Sequence, residues 1–214
     1  MAEVKIAADS GGGSVGLVGP STTTSKAAVQ FKLPVADGSA GQVLQTDGSG
    51  NLSWVDKPAP GITEADQWRI NAAWSGGDPG EILTSGWERC DTGINTGKLG
   101  TGMSQSSGVF TFPSTGWWHI IFAGGFVASS DTNVWAQLQT NGNTPLVEAG
   151  GIINNFSGSN QQIRLNFDAI LDITDTSADA QKVKLRIVTS ADVALDYSSE
   201  EQRFGFTFIR LGDT

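Results

Sequence analysis

An antiparallel all-β sandwich is the fold class this sequence predicts, on three observations. Apolar and polar residues alternate with a period of two through most of the chain beyond residue 108, the spacing of strands with one buried face. Among 214 residues there are 28 Gly, seven Trp and only 16% charged side chains, a mixture that suits short strands and tight turns better than helices. No stretch carries the 3.6-residue spacing of a long amphipathic helix.

In chain order, residues 1–25 open with the alternating piece Val4-Lys5-Ile6-Ala7. Gly-rich segments come next, Ser10-Gly11-Gly12-Gly13-Ser14 and Gly16-Leu17-Val18-Gly19-Pro20. So few large side chains cannot bury a core of their own. Two readings stand side by side: a disordered tail, or an extended anchor peptide that orders on a partner, with Val4 and Ile6 adding as a strand to an exposed edge. From Lys26 to Val55 three short alternating strands are expected: Ala28–Leu33, Val43–Thr46 and Leu52–Val55. Turns at Pro34–Gly38 and Asp47-Gly48-Ser49-Gly50-Asn51 separate them. Three strands with one apolar face make too little core for a free monomer. This module, residues 26–57, is therefore expected to close against copies of itself, with Leu44, Leu52 and Trp54 as interface candidates. Pro58, Pro60 and Gly61 mark a linker over 58–65, and the remaining 66–214 form the main domain.

That domain begins with Trp68 and Ile70 as an inward pair and passes through a polar loop, Trp74–Pro79. Ile82, Trp87 and Cys90 lie on its early strands. The stretch GVFTFPSTGWWHIIFAGGF, Gly108 to Phe126, reads as two strands of a hairpin with the rest of the chain continuing the same sheet. Phe110 and Phe112 share a face, Pro113 blocks a helix, and Ser114, Thr115 and Gly116 supply the turn. In the second strand Trp118, Ile120 and Phe122 share one face and Trp117, His119 and Ile121 the other, so both faces are largely apolar. One face of a sandwich strand meets the opposite sheet; the second needs another partner, most simply a neighbouring subunit. Further on, Val134, Ala136 and Leu138 alternate with Trp135, Gln137 and Gln139 before an Asn141-Gly142-Asn143 turn. Ile163, Leu165, Phe167, Ala169, Leu171 and Ile173 make a long apolar face opposed by Gln162, Arg164, Asn166, Asp168 and Asp172. Val183, Leu185 and Ile187 repeat the pattern, and the Phe204 strand ends the chain.

Two resemblances sit on these residues. The 108–126 stretch, together with Arg203-Phe204-Gly205-Phe206-Thr207-Phe208, resembles the hairpin and final strand of the complement globular-head and tumour necrosis factor superfamily. That resemblance implies a trimeric jelly roll, with Trp117, His119, Ile121 and Arg203 as interface candidates. His119 and Ile121 would face the threefold axis, so three imidazoles would lie together and the assembly would weaken as pH falls through the imidazole range. A generic antiparallel sandwich, with His119 bonded inside its own subunit, is the alternative. The string LPVADGSAGQVLQTDGSGNLSWV resembles a module of bacteriophage fibre and spike proteins, which implies a slender intertwined shaft of three chains. The fold expected overall is all-β: a trimeric jelly-roll sandwich head, preceded by a short intertwined β shaft and an extended N-terminal anchor.

Chemistry is sparse. A formal net charge of -9 would repel a phosphate backbone or an anionic membrane, so neither nucleic-acid binding nor membrane insertion is expected. With one His and one Cys, neither a zinc cluster nor a Cys/His nucleophile pair can be assembled, and Cys90 reads as a buried thiol. His119, flanked by apolar residues with no Ser or Cys motif, reads as structural. Asp172, Asp175 and Asp179 match no calcium loop, and Gly11-Gly12-Gly13 lacks the Lys-Ser/Thr of a phosphate cradle. No catalytic residue, metal or cofactor is assigned. MAEVKIAADSGGG carries no signal peptide or membrane anchor, so manufacture without export, in a host cytoplasm, is expected.

The expected function is a non-enzymatic virion surface protein of a tailed phage, a homotrimeric fibre or decoration spike. It would be held to capsid or tail proteins through its N-terminus, with a host-surface glycan or protein as the candidate outward partner. Alternatives are a receptor-binding tail-fibre tip, a polysaccharide-degrading spike using Asp168, Asp172 and Asp175, and a secreted cellular ligand-binding jelly roll.

Overall fold

The structure, a computed structural model, describes residues 3–7 and 14–18 as backbone, and 31–57, 61–77, 79–91, 97–154 and 161–214 in full. The chain divides into two compact units, Met1–Ala59 and Pro60–Thr214.

In the first unit, β1 (Glu3–Ala7) pairs antiparallel with β2 (Ser14–Val18), setting Val4 opposite Leu17 and Ile6 opposite Val15. The expected extended anchor is thus corrected to a hairpin. The second alternating piece, Ser14–Val18, lies close enough along the chain to satisfy the backbone N–H and C=O groups that a lone strand leaves open. β3 (Gln42–Thr46) and β4 (Leu52–Asp56) form a second hairpin, with Leu44 opposite Trp54 and Leu52 opposite Thr46. Its turn is held by Asp47, whose Oδ1 accepts from the backbone N–H groups of Ser49 and Asn51. Of the third expected strand, residues 28–30 lie outside the described residues, and 31–33 make only a single bridge, Lys32 to Asn51. Pro34 has no N–H to extend the ladder. The chain instead crosses the hairpin, where the Trp54 indole N–H donates to the Ala36 carbonyl at 3.1 Å.

The second unit contains β5 (Ala65–Ile70), β6 (Ser75–Gly76), β7 (Glu81–Ile82), β8 (Trp87–Arg89), β9 (Ser104–Ser106), β10 (Val109–Thr111), β11 (Gly116–Ala128), β12 (Thr132–Thr140), β13 (Pro145–Ile153) and β14 (Gln161–Ile173). A 3-10 turn at Asp179–Gln181 precedes β15 (Val183–Thr189), β16 (Val193–Leu195) and β17 (Phe204–Gly212). Among the described residues no helix is long and apolar enough to cross a membrane. One sheet runs β13-β12-β15-β10-β9, with β7 also on β15. The other runs β14-β11-β17-β5-β8, with β16 against the far end of β11 and β6 on β16. The order β10-β15-β12-β13 facing β5-β17-β11-β14, reached by repeated crossings between layers, is that of a jelly roll.

Two expectations need correction. β10 and β11 are not a hairpin, and the strands after them do not continue a single sheet: β10 pairs with β9 and β15, whereas β11 pairs with β14, β16 and β17. Both strands turn their aromatics into one core from opposite layers, and the rings of Phe112 and Trp118 meet at 5.2 Å between centroids. A flat hairpin would leave no second layer to cover them; the Pro113–Thr115 turn instead lifts the chain from one sheet to the other. Gly116 completes this crossing at φ 132°, where a side chain would run into the Gly212 carbonyl. Within the expected polar loop, Ser75–Gly76 forms a short strand against β16, because the backbone of β16 offers it ladder partners that periodicity cannot reveal; Asp78 lies outside the described residues.

The core is aromatic. Phe110, Phe122, Phe206 and Phe208 are fully buried, and Phe110 meets Trp68 and Trp87 in T-shaped contacts. Phe167 stacks on Phe122 at 4.8 Å, tying β14 to β11. Each such ring contributes roughly 1.5–3 kcal/mol by leaving water. Buried Asp66 holds the entrance to β5: it accepts from the Trp68 indole N–H at 2.9 Å, the Met103 backbone N–H at 2.8 Å and Arg89 Nε at 3.0 Å.

Candidate interaction surface

With Trp118, Ile120 and Phe122 committed to the core, the alternate residues of β11 stand on the outer face of its sheet. The register fixes their neighbours. Trp117 lies beside Asp172, His119 between Ile170 of β14 and Ile209 of β17, and Ile121 between Asp168 and Thr207. Trp117 is 43% exposed, Ile170 56% and Leu211 52%; Ile121 and Ile209 are half-buried between them. These side chains give the face an apolar centre. On the β5 side it continues into a shallow depression lined by Ala65, Gln67, Lys98, Leu99, Thr207 and Ile209.

Polar groups are few. His119 Nε2 is hydrogen-bonded to Asp168 Oδ2 at 3.2 Å, diagonally across β11 and β14. The imidazole therefore has a partner within its own chain, the alternative left open by sequence. Arg203 precedes β17 and stands at the end of β11 away from Trp117. It bonds Glu201 at 2.7 Å and, with Arg164, flanks the carboxylate of Asp196 at 3.5 and 3.3 Å. The hydrogen bond to Glu201, reinforced by that carboxylate's charge, holds the Arg203 guanidinium more firmly protonated than usual.

In the first unit Leu44 and Trp54 stand opposite each other and remain about two-fifths exposed, at 43% and 39%. Phe31, Leu33 and Val35 are more exposed still, Val35 completely. Leu52 is half-buried at the start of β4. Val4 and Ile6 sit in the β1–β2 ladder.

Three contributors to the outer face escape a reading by sequence. Ile170 occupies the one apolar position on the otherwise polar outward side of 162–172, and that break in alternation is its signal. Ile209 and Leu211 give none, since they come after a strand already accounted for by Phe204, Phe206 and Phe208. Asp168 and Asp175, grouped by sequence with Asp172, are separately engaged, Asp168 by His119 and Asp175 by the N–H and hydroxyl of Ser177. Burial pushes the Cys90 thiol up, away from its reactive thiolate form. Among the described residues no group of three His, Cys, Asp or Glu could hold a metal ion.

No family model matches this chain, and no curated protein does. Among solved structures it is similar to Eiger TNF from S. frugiperda, at 12% identity over 70% of this chain and 93% of that one, with a TM-score of 0.49. It is also similar to murine APRIL at pH 5.0, at 10% identity over 69% and 98%, with a TM-score of 0.47. The jelly-roll assignment rests on the strand order itself.

Proposed function

We propose that this chain is a non-enzymatic structural protein of a phage surface, which assembles as a homotrimer through the outer face of the β14-β11-β17-β5 sheet and through its β3–β4 module. The observation that carries this is the apolar centre formed by Trp117, Ile121, Ile170, Ile209 and Leu211, a flat patch left open on an otherwise well-packed sandwich. The β3–β4 module supports it independently: among the described residues 31–57, Phe31, Leu33, Val35, Val43, Leu44 and Trp54 are exposed, and Leu52 and Val55 are only half-buried. Such a module has no core until other chains supply one. The resemblance of Leu33–Val55 to fibre modules supports placement on a virion, fixed to capsid or tail proteins by the N-terminal segment. Three copies of a head raise the effective concentration of weak contacts with a host-surface glycan or protein.

Sedimentation velocity of the full chain at micromolar concentration tests the assembly, with an expected mass three times the 22.4 kDa of one chain. Ile170→Lys places a charge on the face and is expected to weaken association at least about tenfold, or about 1.4 kcal/mol, with unchanged circular dichroism. A wild-type monomer would refute the reading. Immunogold labelling of assembled particles tests the location.

A further inference from the structure

The sole charged groups of β11 and β14 around the apolar centre are His119, Asp168 and Asp172, and they are unequally placed. Asp172 lies beside Trp117 at the end of the ladder. Asp168 stands mid-strand next to Ile121, with its carboxylate 3.2 Å from His119 Nε2. On its other side His119 meets Ile209 of β17, flanked by Thr207 and Leu211, and the nearest outward residues of β5 are Gln67 and Ala65. No Lys or Arg of β17 or β5 faces this pair: Arg210 is turned to Thr115 and Asp213, and Arg69 to Glu88, while Lys98, which lines the adjoining depression with Thr207 and Ile209, donates to the Thr101 carbonyl.

We infer that self-association through this face takes up protons at the His119–Asp168 pair, making the assembly tighter at mildly acidic than at mildly alkaline pH. The inference rests on the proposed role of the face. In the separate chain Asp168 is largely in water, its side chain 68% exposed, and needs no counter-charge. A partner closing over Trp117, Ile121 and Ile170 removes that water. With a neutral imidazole, the carboxylate is then a buried, uncompensated charge; with an imidazolium, the pair is neutral as a whole and hydrogen-bonded. Assembly therefore favours the protonated imidazole. Linkage gives the sign: a group that binds its proton more tightly in the assembled state adds association below its free-chain value, and that addition is lost as pH rises through the assembled-state value. This is opposite to the trend expected for three imidazoles crowded on an axis without carboxylates.

The experiment is sedimentation equilibrium of the full chain at pH 8 and pH 6, for the wild type, His119→Gln and Asp168→Asn. The wild-type dissociation constant is expected to fall by about tenfold or more, since each proton taken up is worth up to tenfold per pH unit. His119→Gln should associate weakly at both values with little change between them. Asp168→Asn, with no carboxylate to neutralise, should associate at pH 8 at least as tightly as the wild type and lose the acid-side gain. An assembled wild type whose constant is flat, or weakens toward pH 6, overturns the inference while leaving the assembly intact; so does a His119→Gln variant that keeps the wild-type dependence. A wild type monomeric at both values overturns the assembly and this inference with it.

Discussion

Phe167 shows at the scale of one residue how far period two suffices. Alternation puts it mid-way along the longest apolar face, and it is buried, stacked on Phe122 and near Phe206. Phe167→Ala is expected to cost about 3–5 kcal/mol in chemical denaturation, because β11 and β14 cannot collapse into the space left. A loss below about 1 kcal/mol, the ordinary effect of substitution, would show that the ring contributes little to the core. Asp47 illustrates a different residue-level effect. Asn51 donates a side-chain hydrogen bond to it and the Ser49 backbone a second, and these hold its carboxyl below the usual carboxylate range. A depressed folded value means that this turn is favoured above the unfolded carboxyl value of about 3.9, and that the preference fades as pH falls through the lower folded value. Carboxyl NMR titration should find the Asp47 midpoint below that of an unstructured Asp, and Asn51→Ala should move it upward.

At the scale of elements, the existence of most long strands was legible, that of β13 and of short strands such as β6 and β16 was not, and strand partnership was not. Alternation placed β11, β12, β14, β15 and β17 and told which side of each is apolar, because one face of every strand meets the same core. It could not tell that the Pro113–Gly116 turn joins two sheets: a tight turn is compatible with a hairpin or a crossing, and the choice depends on which layer buries Phe110 and Phe112. The β17–β5 contact was equally hidden. Gly205 sits where a Cβ would collide with the Trp68 carbonyl, so the two backbones meet there at a separation only glycine permits. Gly205→Ala is expected to destabilise the domain by about 1–3 kcal/mol, measured by thermal or denaturant unfolding, since backbone rather than a flexible side chain must give way. The outer face was half legible: Trp117, His119 and Ile121 are readable from one strand, whereas Ile170 and Ile209 join them only through the register of β14 and β17.

At the scale of the whole molecule, the buried apolar residues among those described all lie from Trp68 onward, and residues 31–57 bury no large apolar side chain. A fragment of residues 60–214 is therefore expected to unfold cooperatively without the first unit, and a fragment of residues 1–59 to show no cooperative transition as a monomer; calorimetry of the two decides. The sequence by itself determined the all-β class, the inward residues of the long strands and the excess of apolar surface on β11, because these depend only on the two-residue period of a strand. Which strands pair, which layer each occupies, and that His119 meets Asp168 across 49 positions of chain were decided only by the tertiary structure. Those relations depend on how separate strands share one core, and periodicity within a strand carries no information about its neighbours.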